Sequence, residues 1–292
     1  MANVNQIKNP VEWGAQRLAG IGRHVGAASD TLRVPEELDE LPDVRRIGLE
    51  DIRIAIVRGI EDLGAFRTDA LSLVIIYPVA GLVLAVAAGT YNLLPLVFPL
   101  ASGFALLGPV AGIGLYEMSR RRELELAGDS EAGTSRPYGA IVLVGLLLLA
   151  IFLAWLVVAY AIYHLTLGPE APRSVAIFVR DVFTTGAGWT MIVAGVGVGF
   201  LFAVAALVVG VISFPFMVDR PVGPGTAIRT SARAVATNPG AMAAWGAIVA
   251  AALVIGSLPA LLGLVIVIPL LGHSTWHLYR RLVPQESPVR PK

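Results

Sequence analysis

The uncharged stretch 137-PYGAIVLVGLLLLAIFLAWLVVAYAIYHLTLGP-169 decides the fold class of this chain. It holds no Asp, Glu, Lys or Arg over 33 residues, and it is bounded by Arg136 and Glu170. An α-helix needs about 20 apolar residues to cross the hydrocarbon core of a bilayer. Because every backbone N–H and C=O must be bonded internally there, we expect this stretch to form a membrane-spanning helix.

Three further intervals lack charged residues: 47 residues over 70–116, 37 over 182–218 and 46 over 234–279. The interval of 37 residues accommodates one span, and each of the two longest accommodates two spans joined by a turn. The turns are predicted at 89-GTYNLLP-95 and near 256-GSLP-259. The alternative for the last interval is one long tilted or re-entrant helix. The sequence therefore predicts an all-α polytopic membrane bundle of six spans, at 70–89, 93–116, 138–163, 189–213, 241–257 and 260–279.

The composition agrees with a membrane protein and excludes several kinds of site. Hydrophobic residues make up 56% of the 292 residues, and the mean hydropathy is +0.73. A net charge of +1 provides no strong positive field, so nucleic acid is not a predicted partner. The chain has no cysteine, which excludes disulfides, covalent c-type haem and cysteine-ligated clusters or zinc sites. No cofactor is predicted.

The distribution of basic residues predicts the orientation in the membrane. Of 22 Lys and Arg residues, only Arg173 and Arg180 fall in the loop 166–188. Because Lys and Arg concentrate on the cytoplasmic side of membrane proteins, both termini are predicted to be cytoplasmic. Abundant Ala, Gly, Val and Arg with few Lys is typical of a GC-rich bacterial genome, so the predicted location is the bacterial inner membrane. The basic, cytoplasmic segments are 1–69, 117–136, 219–238 and 280–292.

The chain divides into two polar tails and one membrane domain. Residues 1–47 lack the apolar core of a signal peptide and carry an acidic run at 36-EELDELPD-43. We expect them to form a mobile, polar cytoplasmic tail. The six-span domain is predicted over 48–283, and a short cytoplasmic tail follows over 284–292.

Three short amphipathic stretches precede spans, over 49–63, 172–183 and 226–239. Helices of this kind either lie in the plane of the lipid headgroups or pack over the bundle. Both alternatives are open from the sequence. The predicted apolar faces are Leu49, Ile52, Ile56, Ile60 and Leu63; Val175, Phe178, Val179, Val182 and Phe183; and Ile228, Ala232 and Val235.

Two stretches align without a gap: 109-PVAGIGLYEMSRRR-122 and 269-PLLGHSTWHLYRRL-282. Both place a proline, a glycine, an aromatic residue and two arginines at the same offsets, where a predicted span reaches the cytoplasm. Aromatic rings and arginines are expected at that depth for physical reasons, but the shared proline and glycine are not. We therefore predict an internal hairpin repeat over 49–122 and 226–282, with both copies in the same orientation.

His273 and His277 stand four residues apart, so they project from one face of a helix, as helical metal ligands do. Two histidines do not complete a site. Glu117, at the equivalent end of the other repeat, is the candidate third ligand, and Asp219 is the next. Alternatively the histidines bond neighbouring groups at the polar boundary, with Glu117 bonded to one of them or to an arginine. His164 lies a membrane thickness away, so haem between facing helices is not supported.

Other patterns do not identify a reaction. The glycines of 195-GVGVG-199 lie inside a predicted span, where GxxxG spacing indicates close helix packing rather than a nucleotide loop. Serine residues occur without a paired His or Asp within the spans, so a serine-protease mechanism lacks its base. No Asp, Glu, Lys or Arg lies in the middle of a span, which argues against a proton- or ion-coupled transporter. The chain is therefore expected not to be an enzyme.

Five runs carry a resemblance to a known family: 74-VIIYPVAGLVLA-85, 93-LLPLVFPLASGFALLGPVAGIGLYEMSRRRE-123, 187-AGWTMIVAGVGVGFLFAV-204, 213-SFPFMVDR-220 and 269-PLLGHSTWHLYRRLV-283. Over about residues 44–283 the chain resembles the bacterial domain of unknown function 2189 (DUF2189), whose members are predicted multi-pass inner-membrane proteins. The GLYE-x-SRR and GH-x-TWH-x-YR motifs are the most specific part of the match. The resemblance implies an inner-membrane location and brings no catalytic residues.

Three functions of different classes fit these observations. The first is a non-enzymatic accessory or scaffold protein whose partners are the lipid bilayer and other inner-membrane proteins. The second is a channel or transporter for a small neutral solute, which repeated hairpins and helices interrupted at Pro78, Pro109, Pro215 and Pro269 would serve. The third is a metal-binding membrane protein that uses His273 and His277. The first is the function that the sequence favours.

Overall fold

The computed structural model describes residues 34–65, 94–128, 138–170 and 174–285, with Val79, residues 81–83, Val86 and Pro172. Over these residues the chain forms eleven α-helices and no strand, so the predicted all-α class is confirmed. A short 3-10 turn, Leu94–Leu96, precedes the second helix. The helices are α1 Leu49–Ala65, α2 Val97–Leu106, α3 Gly108–Ala111, α4 Ile113–Leu126, α5 Tyr138–Thr166, α6 Val175–Thr184, α7 Gly186–Gly210, α8 Ser213–Asp219, α9 Pro224–Thr237, α10 Pro239–Ser257 and α11 Leu264–Leu282.

Three helical segments of the described chain are long and apolar enough to cross a membrane. They are Tyr138–Thr166, Gly186–Asp219 and Pro239–Ser257, and the second of them comprises α7 and α8. They correspond to the third, fourth and fifth predicted spans. Most of the first predicted span, 70–89, lies outside the described residues.

The predicted span 93–116 is a kinked run of short helices rather than one straight helix. The breaks fall at Leu107 and Gly112, yet the hydrogen bonds continue through them. Leu107 N–H donates to Gly103 O at 2.8 Å and Gly112 N–H donates to Gly108 O at 2.9 Å. Pro109 occupies the first turn of α3, where the missing N–H of proline removes no helical bond. Pro109 therefore lies at the start of α3, and the chain around it stays helical.

The last hairpin turns later than the sequence predicts. The chain leaves α10 at Ser257 and enters α11 at Leu264, and Ala260 and Leu261 adopt positive φ angles of 50° and 68° in between. This turn excludes the alternative of one long helix over the whole interval. Pro269 lies inside α11 and does not end it.

We call the region where α1, α4, α8, α9 and the C-terminal half of α11 meet the polar layer. Large side chains that are almost completely buried lie between these helices, among them Tyr116, Phe214, Phe216, Trp276 and Tyr279. These residues come from the cytoplasmic ends of predicted spans. Helices from all four segments that the sequence predicts to be cytoplasmic thus meet on one side of the molecule. The predicted topology requires this.

α1 packs lengthwise and antiparallel against the C-terminal half of α11. Asp51, near the start of α1, accepts a hydrogen bond from Arg281 Nε at 2.7 Å, while Gly59, two turns further, lies against Ser274. The predicted apolar face of α1 is only partly correct, because Leu49 and Ile60 are exposed. The buried residues of α1 are one member of the predicted face, two small residues and one carboxylate: Ile52, Ala55, Gly59 and Asp62.

Residues 34–47 are held against the polar layer, in contrast to the mobile tail expected over 1–47. The Glu37 carboxylate accepts from the backbone N–H of Gly225 at 2.8 Å and from the Thr226 hydroxyl at 2.6 Å, at the N-terminus of α9. Further along, Ile47 N–H donates to Asn238 Oδ1 at 2.8 Å. An anion at a helix N-terminus is favoured by the unpaired N–H groups there. Residues 1–33 lie outside the described residues.

The two halves of the predicted repeat contact each other. α4 and α11 cross closely at Gly272, where a Cβ would lie 3.0 Å from Leu115 Cβ. The amphipathic helices that precede the two hairpins pack differently, since α1 lies along α11 whereas α9 packs against α5, α7 and α8. The internal repeat stays a prediction.

Candidate functional site

Five polar side chains from three helices meet in the polar layer, and we call them the inner cluster: Asp62 of α1, Ser119 and Arg122 of α4, and His273 and His277 of α11. The histidines lie one turn apart on α11, and Ser119 and Arg122 lie three residues apart on α4. Each pair therefore projects from one side of its helix. Asp62 reaches both pairs because it lies on the buried face of α1.

Asp62 is the centre of the inner cluster. Its Oδ2 accepts from the Ser119 hydroxyl at 2.5 Å and from His277 Nε2 at 2.8 Å, and its Oδ1 accepts from Arg122 Nη1 at 2.7 Å. Burial by itself raises the pKa of Asp62, but the hydrogen bonds from His277 and Ser119 outweigh burial and lower this pKa below its ordinary value. Asp62 is therefore a carboxylate at neutral pH although only 4% of the residue is exposed.

Ser119 connects Asp62 to the second histidine. Its Oγ lies 2.8 Å from His273 Nδ1. Because the single hydroxyl proton of Ser119 is donated to Asp62, the bond to His273 requires that Nδ1 carry the proton and Ser119 accept it. Likewise His277 must donate from Nε2 to the ionised Asp62. The carboxylate thus sets the tautomers of both rings.

A second polar group lies further along α11, toward its C-terminal end. Arg280 Nε donates to Glu123 Oε2 at 2.9 Å, and Arg280 Nη1 donates to Asp219 Oδ2 at 3.2 Å. The Tyr279 hydroxyl donates to the same Asp219 oxygen at 2.6 Å. The Arg280 guanidinium also lies 5.5 Å from the centre of the Trp276 ring, a favourable cation–π distance. α4, α8 and α11 are therefore joined by charged bonds as well as by apolar packing.

The predicted metal ligands do not come together in the described part of the chain. Glu117 accepts from Arg121 Nε at 2.7 Å and from Arg120 Nε at 3.1 Å, which is the arginine pairing that the sequence left as an alternative. The next candidate, Asp219, bonds Tyr279. Within the described ranges, no group of three or more His, Asp or Glu side chains is placed to hold a metal ion. The metal site stays a prediction that these contacts do not support.

The arrangement of the inner cluster suits binding between helices better than nucleophilic catalysis. Ser119 pairs with a histidine and an aspartate, which the sequence did not indicate. In a catalytic triad, however, the serine donates to the histidine and the aspartate orients that histidine. Here Ser119 donates directly to the carboxylate and accepts from the histidine, so the histidine is not placed as the base that removes its proton.

Sequence reasoning missed Asp62, Ser119 and Arg122. The signal that could have found Asp62 is its spacing from Ile52, Ala55 and Gly59, which places it on a helical face of small residues. Ser119 belongs to the GLYE-x-SRR motif, but the motif does not indicate its partners. Its role follows only from the packing of α4 against α11, along which α1 lies.

A family model described as predicted integral membrane protein (DUF2189) matches residues 97–219. The match confirms the resemblance over α2 to α8, which includes Ser119 and Arg122. It does not extend to α1 or α11, which carry Asp62 and the histidines. No curated protein and no solved structure matches the chain. With three helical segments long enough to cross a bilayer, the match identifies an integral membrane protein.

Proposed function

We propose, from the match of residues 97–219 to a family of predicted integral membrane proteins, that this protein is a non-enzymatic accessory or scaffold of the bacterial inner membrane. The observation that carries the proposal is that the polar side chains of the inner cluster bond to one another. Asp62, the one carboxylate in it, accepts three hydrogen bonds from within the chain. Groups engaged in this way hold helices together and are not presented to a substrate.

The bonds that connect the segments of the polar layer support the same role. Four connections tie its segments: Asp62 to Arg122, Glu123 to Arg280, Asp51 to Arg281, and Glu37 to the N-terminus of α9. Such connections reduce the relative motion of α1, α4, α9 and α11. A fixed layer at one membrane face is a suitable base for contacts with another protein, because little ordering is lost on binding.

The long apolar helices supply a second surface for partners within the bilayer. On α7, Val193, Val196 and Phe200 are exposed, and Gly195 and Gly197 have open space where a Cβ would lie. Lipid tails are as apolar as these side chains, so association there would depend on close packing, which glycine allows. Gly199, by contrast, packs within the chain against Trp155.

The helix interruptions give less support to a solute transporter. Transporter sites use unwound segments whose free backbone groups bind the substrate. Here the hydrogen bonds run through the kinks at Leu107 and Gly112, and Pro269 lies within a continuous α11. The part of the chain that is described around these prolines therefore stays helical.

Site-specific photocrosslinking in cells tests the accessory role. A photoreactive amino acid at Val193 or Phe200 on α7 is expected to give a discrete adduct with another membrane protein. The same group at Ala206, which lies on α7 but is buried, is the matched control and should give none. Adducts with lipid alone at both exposed positions, from a chain that also purifies alone in mild detergent, would contradict the proposal.

A further inference from the structure

α6 lies at the end of the bundle opposite the polar layer. It connects the C-terminal end of α5 to the N-terminal end of α7, and α7 leads into α8 of the polar layer. α5 has 29 residues, which corresponds to about 43 Å at 1.5 Å per residue. This length exceeds the hydrocarbon thickness of about 30 Å, so α6 is placed at the far boundary of the membrane.

One side of α6 is fixed to the neighbouring helices. Val182 is buried, and the Phe178 ring lies 6.3 Å from the Tyr163 ring of α5 in an edge arrangement. At the junction with α7, the Thr185 hydroxyl donates to Asp181 O at 2.6 Å, and the Trp189 indole N–H donates to Phe183 O at 3.1 Å. These bonds satisfy carbonyls of the last turn and hold α6 in place.

The apolar arc of α6 is wider than its contact with protein. Val175, Val179 and Phe183 follow one another at intervals of four residues, so they form one stripe beside the buried side. They are 58%, 48% and 60% exposed. A wide apolar stripe of this kind needs an apolar environment that the described chain does not supply.

The opposite arc of α6 is suited to water. Arg180, Thr184 and Ile177 lie there, with Thr184 between the other two on the helical projection at 3.6 residues per turn. α6 thus has three sectors: one packed on protein, one apolar and exposed, and one polar and exposed. Two exposed aromatic residues of α5 and α7, Tyr160 and Trp189, occupy the same end of the bundle, as interfacial aromatic residues do.

We infer that α6 lies in the headgroup boundary of the leaflet opposite the polar layer and binds the phospholipids of that leaflet. Val175, Val179 and Phe183 insert toward the acyl chains, and Arg180 stays among the phosphates and water. The apolar arc of a helix with these three sectors is covered when the bilayer surface passes along it. The inference needs only the membrane location of the chain, so it does not depend on the accessory role.

The absence of cysteine from the chain allows a direct test by spin labelling in proteoliposomes. Single cysteines replace Val179 and Phe183 on the apolar arc, and Ile177 on the polar arc is the matched control. For each label, the ratio of collisions with oxygen to collisions with a water-soluble nickel chelate is measured. This ratio should be severalfold higher for the labels at 179 and 183 than for the label at 177. A label at Val193, two turns inside α7 from its start, should be shielded from the chelate more strongly than the label at 179.

Three outcomes would overturn the inference. Equal nickel accessibility at 177, 179 and 183 would place the whole helix in water. Shielding of 179 and 183 from both oxygen and nickel, with immobilised spectra, would show that protein covers the arc. A depth at 179 equal to that at 193 would place α6 within the hydrocarbon core instead of at its boundary.

Discussion

Gly59 of α1 lies directly against Ser274 of α11. A Cβ at position 59 would lie 2.8 Å from the backbone nitrogen of Ser274 and 3.0 Å from its Cα. The two backbones therefore approach as closely as a glycine allows. Asp62 lies one turn further along α1 and bonds His277 directly, so the inner cluster depends on this contact.

Replacing Gly59 with alanine should destabilise the protein. The added methyl group meets backbone atoms, so α1 must move away from α11, and overpacking of this kind costs about 1–3 kcal/mol. The thermal unfolding midpoint in detergent should fall. The matched control is Gly64→Ala on the same helix, where a Cβ would meet nothing within 4 Å. That variant should be at least as stable as the parent, because alanine favours a helix over glycine by about 1 kcal/mol. Equal midpoints for the two variants would show that the close crossing is not important.

The contact between Gly59 and Ser274 also shows what the sequence could and could not predict. The three described segments that are long enough to cross a membrane followed from intervals without charge, since charge is costly in hydrocarbon whatever the packing. The buried face of α1 followed only in part from its apolar pattern, since Ile52 is buried whereas Leu49 and Ile60 are exposed. Lipid tails are as apolar as leucine, so that pattern does not separate a face toward lipid from a face toward protein. The small residues Ala55 and Gly59 complete the buried face.

The same limit applies to α9 and to the site. Of the predicted face of α9, Ile228 and Val235 pack against the core. The most buried residues of α9 are small: Thr226, Ala227, Thr230, Ser231 and Ala234. The histidine pair was predicted correctly as two residues on one helical face. Its carboxylate partner was not, because Asp62 and His277 are 215 residues apart and only the packing of α1 on α11 brings them together.

Asp62→Asn should destabilise the protein strongly. The amide cannot replace a carboxylate that accepts from Arg122, Ser119 and His277. Removing one partner of a buried ion pair lowers the free energy of unfolding by about 3–5 kcal/mol. The measurement is unfolding by denaturant in detergent. Glu50→Gln is the control on the same helix, since Glu50 pairs with Arg53 in solvent and exposed pairs contribute little. If both variants unfold like the parent, Asp62 does not hold α1 to α11.

The bond between Asp62 and His277 should appear as energetic coupling. The stability of Asp62→Asn, His277→Ala and the double variant gives a double-mutant cycle, and residues in one hydrogen-bond network typically couple by about 0.5–3 kcal/mol. The double variant should therefore lose less than the sum of the two single losses. Strict additivity would contradict the contact. Elemental analysis of the same samples tests the metal hypothesis, which requires stoichiometric metal that is lost on His273→Ala.

Glu37→Gln should release the residues around position 37 from the N-terminus of α9, while Arg45 and Ile47 keep their own bonds. The amide lacks the charge that favours the helix N-terminus, so hydrogen exchange of this segment should become faster. Glu40→Gln, a neighbouring exposed carboxylate, should leave the exchange unchanged. A parent-like exchange rate in Glu37→Gln would show that the carboxylate does not hold the segment.

Acidification should have the same effect on the parent protein. Burial opposes the shift, but the bonds from Thr226 and Gly225 lower the pKa of Glu37 below 4.5 in the folded protein. A lowered carboxyl pKa means that the docked form is stabilised fully above 4.5 and loses this stabilisation as the pH falls through the lower folded value. The protection of the residues around Glu37, measured as the exchange rate relative to the intrinsic rate at the same pH, should therefore fall below pH 4.5 in the parent and change less in Glu37→Gln. A pH dependence that is identical in both proteins would contradict this assignment.

The topology predicts where a reporter enzyme is active. Alkaline phosphatase folds only outside the cytoplasm, so fusions after residue 167, next to α6, or after residue 91 should be active. Fusions after residue 128 or 225 should be inactive, because α4 and α9 share the polar layer with the basic segments. The ion pairs Asp62–Arg122 and Arg280–Asp219 require α1, α4, α8 and α11 to meet on one side, so the fusions at 128 and 225 must agree with each other. Activity after 128 and 225 with none after 91 and 167 would invert the orientation, while opposite results at 128 and 225 would contradict the polar layer itself.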